Sequence, residues 1–456
     1  MPQRRLDPRA PYKPLDVGNG IVAGSLNSGG RWLDLGIAHP VHGRVIVTDA
    51  PAYVGDRLDP RAVRAYRATL ASRDREGFGL ALLERASSAA ALVEDTFPLA
   101  IHARRDARIE SLAFAPSGRR GAAQVLRIDA RRDMRIEPAW TGTMRLARAA
   151  YTQLTPGGAL PDAEEHPILG HDGRVLWIAD EGLGVAVAVA LPPPLEIPAG
   201  ASDTLAVAIA LAQDADSAVR EAIALAGAAR ELMPPEIARR RALWTGLDLA
   251  RPAQRPQRRA FAYAVDCAAS EIGSDAWSDS PAEHSRDAAS RAIAVLADHE
   301  ILPLVWTRDA YYVCRALLAL DPRGAGRTIT AAFLHWCFET AERVDGWWPR
   351  ASLASGAAKD PVFQLDQQLY PLLLLEDLAR LAGDDAPLRA FRAQRDRVIA
   401  AILEQRTAHG LVATAETPAD DPIDAPFHFS SHVLLWRVLR DLDRAHADAV
   451  RAASLR

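Results

Sequence analysis

From about residue 17 to 215 the chain alternates apolar and polar positions with a period of two. Leu126 and Ile128 alternate with polar neighbours in "VLRID"; Val185, Val187 and Val189 recur in "GVAVAVAL", and Leu205, Val207, Ile209 and Leu211 in "LAVAIAL". A strand that buries one face produces this period. Turn signals at "NSGG" (27 to 30), "PSG" (116 to 118), "TPGG" (155 to 158) and "HDG" (171 to 173) cut the region into many short strands, which predicts an antiparallel β-sandwich of two large sheets.

Between about 213 and 255 the pattern turns helical and rich in Ala, Arg and Glu, with "MPPE" (233 to 236) as an expected break, so a helical linker is predicted over 216–254. Beyond it the period is 3.6: Ala310, Val313, Leu317 and Leu320 share one face of a helix predicted to start near Asp309. Further helices are expected at 256–272, 283–298, 325–343, 366–382, 386–405 and 430–444, with no intervening strand pattern. The domains so defined are a sandwich over 1–215, the linker, and an (α/α) hairpin toroid over 255–456.

Composition narrows the class without changing that picture. The 456 residues are 49% hydrophobic and 25% charged, the balance of a globular protein. A net charge of -4 removes the electrostatic reason to expect nucleic acid. The start lacks the apolar run of a secretory signal, and no apolar stretch is long enough to span a bilayer, so a cytoplasmic protein without membrane partner is expected. A homo-oligomer is compatible with the sequence. Cys267, Cys314 and Cys337 are odd in number and far apart, which points to buried thiols and not to disulfides or a CxxC metal site. His428 and His432 are four apart but lack a third ligand at suitable spacing, so no metal is expected.

The candidate chemistry lies where helices begin. Trp306, Arg308 and Asp309 precede or open one helix, Trp347, Trp348 and Arg350 follow the turn signal Asp345-Gly346, Asp366 opens another helix, and Glu416, Asp420 and Asp421 stand in "ETPADDP" before the last. Each has a plain structural reading. Asp309 and Asp366 fit helix N-caps, the tryptophans fit core packing, and the acids of the loop fit a solvated surface. Together an indole face, a guanidinium fork and a carboxylate suit sugar recognition.

"PLVWTRDAYYVCRALL" resembles the W-x-R-D motif of glucoamylase-like glycoside hydrolases, family 15 and its six-hairpin relatives. "VGNGIVAGSLNSGGRWLDL" (17 to 35), "FQLDQQLYPLLLLEDL" (363 to 378) and "GLVATAETPADDPIDAPFHFSSHVLLWRVL" (410 to 439) are similar to that family's opening hairpin, its Q-L-D helix and its terminal base segment. The resemblance implies an N-terminal β-sandwich, a linker and an (α/α)6 toroid, here in a shortened form, with no cofactor. It implies that Trp306, Arg308 and Asp309 hold the non-reducing-end sugar and that Glu416 is the base; Trp347, Trp348 and Arg350, placed after a turn signal, are read from the residues themselves as further contacts to the sugar. The family's general-acid glutamate has no clear match between Trp348 and Gln364, where the stretch offers Lys359 and Asp360. Asp366 is the candidate acid, because Phe363, Leu365 and Leu369 beside it would desolvate its carboxyl.

The expected activity is inverting hydrolysis of a small α-glucoside or related oligosaccharide. Two other readings stand beside it: a phosphorylase, epimerase or lyase on the same scaffold, with Arg350 and Lys359 as the candidate phosphate pair, and a catalytically silent sugar-binding protein.

Overall fold

The computed structural model describes the chain except residues 1–2, 7–14, 54, 57–58, 73–74, 85–88, 150–165, 273–276, 278–291, 415, 422–423 and 456. The turn expected at "TPGG" and most of the helix expected over 283–298 lie outside the described residues. The described chain falls into two compact units. The first holds the residues up to Ile272, Trp277 and the segment Asp298–Pro303; the second holds 292–297 and the chain from Leu304 onward.

The first unit is an antiparallel sandwich. One sheet has nine strands in the spatial order Gln3–Arg5, Ala89–Val93, Phe97–Ala103, Ala107–Phe114, Gly121–Ala130, Ser202–Ala212, Val185–Ala190, Val175–Asp180 and Pro167–Asp172. The other has five, in the order Arg145–Arg148, Gly43–Thr48, Trp32–His39, Val22–Leu26 and Leu15–Gly18. Val22, Leu35, Ile37, Val45 and Val47 of the smaller sheet meet Ile109, Leu126, Val187, Val207 and Ile209 of the larger in one core. Trp32 donates its indole N–H to Gln124 Oε1 at 3.0 Å across that core, and Gln124 in turn donates to Gly30 O. Trp32→Phe therefore leaves a buried acceptor short of its donor. A loss of about 1–3 kcal/mol is expected from a urea melt, and an unchanged midpoint would mean that the core rearranges to satisfy Gln124.

The alternation in "GVAVAVAL" and "LAVAIAL" has a second layer of meaning. Their valines, leucines and isoleucine enter the sandwich core, while Ala186, Ala188, Ala208, Ala210 and Ala212 face the other way and are just as buried. Helix α1 (Pro60–Leu70) lies earlier in the chain; α2 (Ala215–Gly246) covers this alanine face through Ala218, Ala222, Leu225, Ala229 and Ile237. Small side chains on the sheet let the helix approach closely. Asp214 caps α2 by accepting from Ser217 N at 2.8 Å. The break expected at "MPPE" does not occur, because α2 runs through Pro234 and Pro235. Ile237 and Trp244 beyond the prolines are buried like the residues before them, and this packing outweighs the intrinsic proline penalty of about 3 kcal/mol.

Helix α3 (Arg255–Tyr263) is shorter than the 256–272 expected; it passes through a wide turn at Ala264–Ala268 into a strand at Ala269–Ile272. The segment Asp298–Pro303 is tied into this unit by polar side chains. Tyr263 O–H donates to Asp298 Oδ2 at 2.9 Å, His299 Nε2 lies 3.0 Å from Ser25 Oγ, and Glu300 pairs with Arg75.

The second unit is helical, with α4 (Thr307–Leu320), α5 (Ala325–His335), α6 (Leu365–Ala382), α7 (Ala386–Ala390), α8 (Arg392–Glu404), α9 (Phe429–Leu439) and α10 (Arg444–Ser454). The helices expected over 386–405 and 430–444 each divide, at Phe391 and between Leu439 and Arg444. Residues 292–295, expected as helix, are a strand, and Ala351–Ser352 pairs with Ala358–Asp360 between α5 and α6. The first is a run of short apolar residues whose burial is equally compatible with either period. No helix among the described residues is long and apolar enough to cross a membrane.

Candidate functional site

Three buried glutamines at the start of α6 organise the site. Gln364, Gln367 and Gln368 are each 0% exposed, and each staples a different segment to this helix. Gln368 donates to Trp348 O and accepts from Trp348 N, both at 2.8 Å. Gln367 Oε1 accepts from Arg308 N at 3.0 Å and from Thr307 Oγ1 at 2.6 Å. Gln364 Nε2 donates to Asp420 Oδ1 at 2.8 Å, with Thr417 O at 3.1 Å and Glu416 Oε2 at 3.2 Å also within reach.

The capping readings of the two aspartates are thereby corrected. Trp306 occupies the cap position of α4 and Gln364 that of α6, while Asp309 and Asp366 stand in the first turns. The amide of Gln367 supplies the acceptor that α4 needs at its free N–H groups, so neither carboxylate is used as a cap. The antiparallel bridge between Val305 and Ser352 holds the chain as it enters α4.

Around this frame two guanidiniums meet five carboxylates. Arg308 lies 3.4 Å from Asp366 Oδ2, 3.4 Å from Asp420 Oδ1 and 3.6 Å from Asp309 Oδ2. Arg350 is buried between Asp360 and Glu416 and pairs with both. Burial alone would lower the pKa of Arg350, and its bonds to Asp360 and Glu416 raise it instead. Burial raises the pKa of Asp366, against the opposing pull of Arg308, and does the same for Asp309. Carboxylates outnumber their cationic partners in this network.

Asp420 reaches Arg308 and Gln364 from a left-handed backbone position, φ 61°, within a tight turn closed by Asp420 N to Thr417 O at 3.0 Å. Aspartate is among the few residues that tolerate this conformation. Its neighbour Asp421 is exposed, so the two adjacent acids are separated by the turn.

The aromatic residues divide. Trp348, 1% exposed, donates its indole N–H to Cys337 O at 2.9 Å, and the Arg343 guanidinium lies 4.0 Å from its ring. Trp347 is buried edge-on against Phe363 at 5.5 Å. Both side chains are buried against neighbouring residues. Trp306 is buried as well, but its indole N–H meets no hydrogen-bond partner among the described residues. The same is true of Asp309 Oδ2, Asp360 Oδ1, Gln364 Oε1 and Gln367 Nε2. These atoms lie at the starts of α4 and α6 and on the strand Ala358–Asp360.

The structure thus brings Arg308, Asp309, Asp366, Arg350 and Glu416 into one network. Asp360 and Asp420, which the sequence offered as acids, join it, and so do Gln364 and Gln367, which the sequence reading left out. The spacing 364, 367, 368, three amides on one helical face before an apolar run, is the signal that could have found the glutamines. His432 accepts from Val412 N at 3.1 Å and donates to His428 O at 2.8 Å, and no metal-ligand group of three forms among the described residues.

Asp309→Ala removes a carboxylate that does not occupy the cap position of α4, and retention of the fold with weakened saccharide binding is expected, by several kcal/mol at most. Unaltered binding by calorimetry would remove Asp309 from the recognition set.

An antiparallel sheet-rich unit followed in the chain by a helical one is an architecture consistent with a glucoamylase-like fold. The chain is similar to a bacterial glucoamylase complexed with acarbose, with a TM-score of 0.52, 12% identity, and coverage of 100% of this chain and 67% of that one. It is also similar to a putative kojibiose phosphorylase from the human microbiome, with a TM-score of 0.50, 8% identity, and coverage of 96% and 67%. At these identities the likeness is one of fold. No family model matches the sequence, and no curated protein matches it.

Proposed function

We propose that the protein is a glycoside hydrolase that releases sugar from the non-reducing end of a small α-glucoside or related oligosaccharide with inversion. The observation that carries this reading is the pairing, at one helix mouth, of a desolvated carboxyl with a raised pKa and a carboxylate held in an ion pair: Asp366 and Glu416. Asp366 gives its proton to the leaving oxygen as the glycosidic bond breaks. Glu416 accepts a proton from the water that attacks the opposite face of the sugar, its oxygens oriented by Arg350 and Gln364. Inversion requires the two carboxyls to stand about 6.5–9.5 Å apart across the bond. Arg308 and Asp309 present donors and acceptors to the sugar hydroxyls, with the Trp306 indole N–H beside them.

Phosphorolysis is the less favoured chemistry, because Arg350 is already neutralised by Asp360 and Glu416 and a phosphate would have to displace both. The test is incubation with a panel of α-linked glucose saccharides, with and without inorganic phosphate, followed by NMR. Phosphate-independent appearance of the β-anomer of the released sugar is expected. A sugar phosphate formed only with phosphate present, or binding without turnover, would overturn the hydrolase reading.

A further inference from the structure

Among the described residues, the Arg343 guanidinium has no counter-ion. Its central carbon lies 4.0 Å from the centroid of the Trp348 ring and 5.5 Å from that of Phe338. Phe338 in turn stacks on Phe391 at 4.9 Å and 10°, so the aromatic wall behind the guanidinium is itself braced. Half-buried against this wall, Arg343 makes no hydrogen bond and no ion pair among the described residues, and no carboxylate acts on its charge. The carboxylate of the neighbouring Glu342 accepts from Ala358 N at 2.6 Å instead.

The charged side chain that does act on Arg343 is a second cation, Arg397 of α8, which is exposed and likewise makes no ion pair among the described residues. The turn after Arg343 packs on the same helix: a Cβ at Gly346, φ 86°, would stand 3.4 Å from Ala401 Cβ, one turn beyond Arg397. Burial lowers the Arg343 guanidinium to about 10, and the charge of Arg397 pushes it the same way. The aromatic rings offset this on the flat sides of the guanidinium, while the N–H groups along its edge find no acceptor in the protein.

We propose that Arg343 and Arg397 form a binding site for a phosphate group, sharing no residue with the network of Arg308 and Arg350. A guanidinium held against an indole presents its edge as a fixed fork, the geometry that meets two oxygens of a phosphate at once. Arg397 supplies the second positive charge that a dianion calls for. Neither cation has to leave a carboxylate for the anion to bind, in contrast to Arg350, which Asp360 and Glu416 hold. Free phosphate and the phosphate of a sugar ester offer the same oxygens. Because Gln368 clasps both Trp348 N and Trp348 O, an anion on Arg343 also steadies the segment tied to α6.

The test is calorimetric titration of the parent, Arg397→Gln and Arg343→Lys with inorganic phosphate and, separately, with glucose 6-phosphate, at an ionic strength held constant with chloride. Saturable binding of phosphate by the parent is expected. Arg397→Gln should weaken it roughly three- to tenfold, and Arg343→Lys, which keeps the charge and loses the fork, by about tenfold or more. Melting temperatures in chloride separate loss of the fold from loss of the site, and Arg397→Gln, an exposed substitution, is expected to melt with the parent. Tighter binding of the ester than of free phosphate would name a sugar phosphate as the ligand, and equal binding would name free phosphate. No saturable binding by the parent, or an affinity unchanged in either variant, would overturn the site.

Discussion

Asp366→Asn is expected to slow saccharide turnover by about 10²–10⁴-fold while the variant melts at a higher temperature than its parent at neutral pH. The two effects have one cause. Burial raises the pKa of Asp366, and Arg308 only partly offsets it, so the ionised carboxylate is less favourable in the folded chain than in the unfolded one. Below the unfolded value, near 3.9, both states are protonated and no penalty exists; it grows as pH rises and is complete above the raised folded value. Asparagine keeps the shape without the charge. The gain in melting temperature should therefore be present at pH 7 and vanish near pH 4, and calorimetric scans across that range would measure it. Slower turnover combined with a lower melting temperature at pH 7 would instead make Asp366 a structural counter-ion of Arg308 and remove it as the acid.

Arg350→Met is the substitution expected to cost most in stability, about 3–5 kcal/mol, because it leaves Asp360 and Glu416 buried without their shared cation. Side-chain exposures of 8%, 2% and 13% for Arg350, Asp360 and Glu416 leave little room for water to compensate. Urea denaturation at pH 7 measures the loss. Glu416→Gln in the same chain should recover part of it. A loss below about 1 kcal/mol would place the pair among solvated surface bridges.

Local pattern was enough for the two architectures. Alternation in "LAVAIAL" follows directly from a strand with a core face, and the strand at Ser202–Ala212 is where it predicts one. Asp366 as a desolvated carboxyl was also legible, since Leu365 and Leu369 flank it in the chain and are buried beside it. The prolines of "MPPE" misled because a propensity acts on one residue, whereas α2 is held by its packing on both sides of Pro234 and Pro235. The capping alternative for Asp309 fails for a related reason: a first-turn aspartate reads as a cap until the amide of Gln367, 58 positions away, is seen to do that work.

By itself the sequence determined the sheet-rich and helical halves, the W-x-R-D turn, and the carboxylates and aromatics proposed for a sugar site, because these depend on periodicity and residue chemistry within a few positions. Tertiary structure alone decided which acid meets which arginine. Asp360 and the loop that carries Glu416 and Asp420 come from separate segments, and their partners Arg350 and Arg308 are selected by the three buried glutamines that bring those segments to one helix. Burial and long-range charge set protonation, and neither can be read from a residue's neighbours in the chain.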